Sequence, residues 1–143
     1  MKIRQLIIIL FLFVSLVGYG QEQQLAYQYL RTGAYEKAAV LYEGLYKKHP
    51  YNASYLNYLI DCYQRLEKYD DVERIVSKHM MQVPNQEHLL VELGYNYELQ
   101  HLPEKATPYY DKALAALDKI PQLGYAIGKA FRENHLLDYA LAS

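Results

Sequence analysis

Five histidines, one cysteine and seventeen tyrosines are the side chains here with chemistry to offer beyond simple charge. The histidines, at 49, 79, 88, 101 and 135, are the natural candidates for a metal. Two imidazoles on one helical face stand four residues apart, and no pair in this chain has that spacing. Solvated or capping histidines are expected instead, and no metal. Cys62 is alone, so it has no intramolecular disulfide partner. Lying between Asp61 and Tyr63 in a helical pattern, it reads as a small buried hydrophobe. Carboxylates are scattered, usually four residues from a base, as Glu43 stands to Lys47. Such pairs contribute only about 0.2–0.5 kcal/mol each. No Ser-His-Asp arrangement, glycine-rich phosphate loop or facing carboxylate pair can be assembled. The expectation is a protein that is not an enzyme and needs no cofactor. Tyrosine remains: a wide, rigid ring with a hydroxyl at its tip, enriched where proteins meet.

The elements that must position these rings repeat. Ala38, Val72, Ala106 and Ala140 stand 34 residues apart. Tyr29, Tyr63, Tyr97 and Phe131 keep step with them, as do Ala26, Ile60, Gly94 and Gly128. A fixed period of this length means stacked copies of one helix-turn-helix unit. In the first copy the periodicity predicts a helix over about residues 22–32, a turn at Gly33, and a second helix over about 35–48. Leu25, Ala26, Tyr29 and Leu30 share its first inward face; Ala38, Leu41, Tyr42 and Leu45 share the second. His49-Pro50 ends the unit, since proline cannot donate to the helix and pushes its predecessor out of the α region. Pro84 repeats the stop one period later. Pro121 comes three residues late, which predicts a third-unit helix longer by most of a turn. Pro103 suits a first turn, whereas Pro108 lies deep enough to bend that helix. Ala38, Ala106, Gly94 and Gly128 are small where helices cross closely.

The fourth copy has a full first helix, about residues 122–133, and a stub of its second. Leu123, Ile127 and Phe131 are therefore expected to stay partly uncovered, since the end of a helical array normally needs a polar cap. The expectation is the front part of a longer chain, with self-association through this uncapped end as a further possibility.

Ahead of the repeats, Met1 to Arg4 gives a short basic start, Leu6 to Val17 an apolar run broken only by Ser15, and Gly18-Tyr19-Gly20 a small-residue end. That is the layout of a secretory signal peptide, residues 1–20, cut before Gln21. The alternative, an uncleaved anchor, asks for about 20 apolar residues, and this run is several short. Export to the periplasm or cell envelope is expected, with no stable membrane span after cleavage and residues 21–143 as one domain. Losing Lys2 and Arg4 leaves 13 basic against 16 acidic residues, a balance that speaks against a nucleic-acid partner. Asn52-Ala53-Ser54 matches a glycosylation acceptor, a weak signal by itself.

Gly33-Ala34-Tyr35-Glu36-Lys37-Ala38 with Tyr42 and Pro50, and Leu93-Gly94, Tyr97, Glu104-Lys105-Ala106 with Tyr110 to Ala113, resemble the tetratricopeptide repeat pattern. Val72, His79 and Pro103 depart from it. The resemblance implies an all-α fold: a right-handed α-α superhelix of three complete repeats and a partial fourth. It is also similar to exported repeat proteins of Gram-negative bacteria. In that family the first helix of each pair lines a concave groove that receives a peptide or a partner's helix. Carried over by register, the groove-facing residues are Gln23, Tyr27, Asn57, Tyr58, Asp61, Gln64 and Arg65, then Val91, Tyr95, Glu98, Tyr125, Lys129 and Arg132. Some members clamp a terminal carboxylate with lysine and asparagine; the matching places here hold Gln23, Tyr27, Tyr58, His88 and Glu92, with no lysine. The implied role is a protein–protein scaffold or adaptor. The alternative is the targeting or regulatory region of a longer enzyme or sensor.

Overall fold

The computed structural model describes residues 20–142. The expected signal peptide lies outside them apart from Gly20. Among the described residues the regular elements are all helical and no strand occurs. Helix α1 covers residues 20–31. It is followed by α2 (Tyr35–Lys48), α3 (Ala53–Arg65), α4 (Tyr69–Gln82), α5 (Leu89–Glu98) and α6 (Pro103–Ala115). A single 3₁₀ turn, Pro121–Leu123, leads into α7 (Gly124–Glu133), and α8 is Leu137–Ala142. No described helix is long and apolar enough to cross a membrane.

Local chemistry explains where the helices begin and stop. The Asn52 side chain accepts from the Ser54 amide at 3.1 Å, capping α3, so this asparagine has a structural task. Glu36 opens α2 and Lys47 and Lys48 close it, each sign at the end of the helix dipole that favours it. Pro103 takes the first turn of α6, where its missing N–H costs nothing. Each first helix of the 34-residue pattern ends on a left-handed residue: Gly33 at φ 78°, Glu67 at 56°, His101 at 60° and His135 at 59°. Those four positions are themselves 34 residues apart. Only the first is glycine, so the other three hold a conformation that costs a side chain about 1–2 kcal/mol.

The described residues fall into two compact units, one ending at Leu66 and the other starting at Glu67. In the first, α1, α2 and α3 enclose Ala26, Ala38, Tyr42 and Leu45, with Leu56, Leu59 and Cys62 buried on α3. Lys48 reaches Glu22 at 2.8 Å, tying α2 to α1. The buried Tyr63 hydroxyl donates to the Glu43 carboxylate, tying α3 to α2. One inward assignment fails: Leu25 is 41% exposed. It lies at the edge of α1 with Ala26, not Leu25, turned to the core.

The second unit packs α5 against α6 and α7 against α5 and α8. Gly94 is required by that packing. A Cβ there would come within 2.6 Å of Tyr110 Cδ1 and 2.9 Å of Cζ, far inside contact distance. The expected bareness of the last helix is not observed: Leu123, Ile127 and Phe131 are buried. Short as it is, α8 carries Tyr139, whose ring stacks on Phe131 at 5.2 Å and leans on Tyr110 at 4.9 Å. The expected lengthening of α6 is also absent. The helix stops at Ala115 and the surplus residues form turns, closed by bonds such as Leu117 to the Leu114 carbonyl. Pro121 forces Ile120 to φ −135°, ψ 77°, so the helix cannot run into it.

Candidate binding surfaces

In the first unit the aromatic residues of α1, α2 and α3 gather at one place. Tyr27 and Tyr58 rings lie 6.0 Å apart, and Tyr58 and Tyr42 5.0 Å apart. With Gln23 and Gln24 they line a recess of about 260 Å³, its floor made by Tyr42. The Tyr55 hydroxyl donates to Gln23 Oε1 at 3.0 Å and holds that amide at the rim. The Tyr42 hydroxyl is buried without a hydrogen-bond partner. Burial, reinforced by Tyr58, pushes its pKa well above the ordinary value for a phenol, so it stays protonated as a donor. Tyr27 and Asn57 are exposed and Tyr58 half-buried, while Arg65 pairs with Asp61 at 3.3 Å along the same helix. Gln64 is half-buried with its Nε2 unpartnered. Cys62 lies beneath this surface, its thiol pushed up to about 12 by burial and then by Asp61, hence protonated and unreactive.

The second unit presents a different face. Tyr125, Lys129 and Arg132 of α7 border a concavity of about 520 Å³ with Gly124, Gly128, Leu137 and Leu141. Its apolar rim is open to water: Tyr125 is 80% exposed, Leu137 61% and Leu141 89%. Gly128 is half-buried there and lines the concavity. Lys129 meets Glu133 at 3.5 Å. On α5, Tyr95 and Glu98 are half-buried, and both raise the pKa of buried Tyr110, for which burial is the larger cause. Glu92 accepts from the Asn134 amide at 3.0 Å, so this place of the carboxylate-clamp set serves an internal bond. Val91 is a correction. It is wholly buried with Ile127 and Phe131 and offers no surface to a partner, because α7 packs over that side of α5.

The histidines also need correcting. His79 is 4% exposed, not solvated, and burial lowers its pKa despite a bond with Gln86. His88 is likewise lowered, first by burial and then by the charge of neighbouring His79. The charge of one histidine is thus felt by the other within the second unit, although nine residues separate them in sequence. Spacing along one helix could not find this pair, since it joins the end of α4 to the residue before α5. Among the described residues no three His, Cys, Asp or Glu side chains are placed to hold a metal ion.

Leu141 was not legible as a surface-forming residue, nor Tyr42 as the buried ring beneath the recess. Tyr42 is in the core by its periodicity, and only three-dimensional packing makes it a recess floor. Leu141 falls in a stub too short for periodicity to orient. No protein-family model and no curated protein matches the chain.

Proposed function

We propose that this chain is an exported scaffold of the tetratricopeptide type, a right-handed α-α superhelix whose first helices hold a peptide or protein segment in the cell envelope. The observation that carries the reading is the left-handed residue recurring at 33, 67, 101 and 135. The same turn is made at the same register four times, three of them without the glycine that would make it easy. Helix-turn-helix units repeated this closely are built to stack, and stacked units present extended surfaces for other chains. Tyr27 and Tyr58 give the first unit its contact surface, with the Gln23 amide at the rim of the recess between them. Tyr95, Glu98, Tyr125, Lys129 and Arg132 serve in the second.

A photo-crosslinking amino acid placed at Tyr27, Tyr58 or Tyr95 should trap one envelope protein in the native cell. The same probe at Met81, exposed on α4, should trap nothing in common with them. Equal capture from all four positions, or none from the tyrosines, would remove the basis for the reading.

A further inference from the structure

The corner that joins α4 to α5, residues 83–88, gathers buried titratable groups that partner binding does not use. His79, in the last turn of α4, is 4% exposed. At the other end of the corner, His88 Nδ1 and Glu87 Oε2 are both buried without a hydrogen-bond partner. Each carries a desolvation cost that contact with water would remove. Asn85 adds a left-handed backbone, φ 59°, at a place without glycine. Helix α5 then begins on tight turns, Leu89 N–H to the Gln86 carbonyl at 2.9 Å and Leu90 N–H to that of Glu87 at 3.0 Å, with no side-chain cap. What ties the corner down is Gln86. Its side chain is hydrogen-bonded to that of His79, and its Nε2 donates to the Pro84 carbonyl at 3.3 Å.

The rest of the unit is fastened differently. Val91 is enclosed with Ile127 and Phe131, the Tyr110 ring covers Gly94, and Glu92 accepts from Asn134. None of these contacts passes through residues 83–88, so the corner can open while α5 stays packed on α6 and α7.

We infer that this corner is a latch released by acid: it closes on two neutral imidazoles and opens when both take up protons. The surrounding charges favour the neutral pair. Lys129 on α7 and His79 on α4 oppose a proton on His88; Glu87 favours one, and burial outweighs it. Among the described residues no group on α6 acts on His88. On His79 burial likewise outweighs the Gln86 bond. The open corner therefore binds protons more readily than the closed one. Closure is complete above the ordinary histidine value of about 6.5 and is lost as pH falls below it. The latch is independent of what the scaffold binds.

Hydrogen exchange on the full chain, corrected for the intrinsic effect of pH, tests this. Between about pH 7.5 and about pH 5.5 the Val83, Leu89 and Leu90 amides should lose about tenfold or more of their protection, while Tyr110 and Ala113 on α6 keep theirs. Replacing His79 and His88 together with glutamine should abolish the loss. Lys129→Gln, at the surface, should weaken the release and move it to lower pH, whether or not the double variant folds. Equal protection at the two pH values overturns the inference. So does a loss shared by α5, α6 and α7 alike, which is unfolding of the whole unit. A release that persists without the two histidines, or that ignores Lys129→Gln, overturns it as well.

Discussion

Each unit has a helical glycine and a group of aromatic rings, and the two units use them in opposite ways. In the first, a Cβ on Gly44 would lie an ordinary 3.6 Å from Glu22 Oε1, whereas one on Gly94 in the second would run into the Tyr110 ring. The rings of Tyr27, Tyr42 and Tyr58 leave a recess between them. Those of Tyr110, Phe131 and Tyr139 close on each other, with Tyr110 and Phe131 5.5 Å apart edge to face. One aromatic group is thus left available for contact and the other is spent on cohesion. Tyr42 and Tyr110 share a register and are both buried; the difference lies in their neighbours, exposed Tyr27 in one unit and buried Phe131 in the other.

The largest effect should come from opening the closed cluster. Phe131→Ala is expected to cost about 3–5 kcal/mol by chemical denaturation, the usual loss for a buried aromatic. Tyr27→Ala, in the open cluster and already half in water, should cost less than about 1 kcal/mol while weakening partner capture. Comparable losses would dissolve the contrast between the two.

Gly94→Ala comes next, at about 1–3 kcal/mol, because the ring it meets is held on both sides and cannot yield. Ala106→Leu, at another fully buried position of the same unit, should fall in the same range.

Acid should act on the second unit more than the first, for the buried histidines are there. His79 and His88 are held below their ordinary pKa in the folded chain, so the unfolded chain takes up protons first. Their contribution is complete above the ordinary histidine value of about 6.5 and is lost as pH falls below it. Replacing His79 with glutamine should flatten the fall in melting temperature between neutral and mildly acid solution; an unchanged slope would assign the acid response elsewhere.

The turns give a smaller effect of opposite sign. His101→Gly should raise stability by up to about 1 kcal/mol by relieving the left-handed backbone, offset in part by a freer unfolded chain. Gly33→Ala should lower it by about 1–2 kcal/mol. The smallest change is Gly44→Ala, a gain of about 0.5–1 kcal/mol, since nothing there needs the missing Cβ. If it cost as much as Gly94→Ala, the difference drawn between the two glycines would be wrong.

Much of this was written in the order of residues. A period of 34 placed α2 at its observed ends, and Pro50, Pro84 and Pro121 each marked a stop. Ala38, Val72 and Ala106 were legible as buried positions, because a helix that repeats must repeat its contact face. The need for glycine at 94 was legible for the same reason, though not which ring requires it.

Burial at the edges was decided elsewhere. Leu25 and Ile127 hold the same register, yet one is exposed and the other wholly buried. Val91 and Tyr125 differ in the same way, and so do buried His79 and the exposed His49, His101 and His135. Periodicity is a property of one helix and says which side is apolar. Whether that side is covered depends on a second helix arriving from elsewhere in the chain, and only the tertiary structure supplies that.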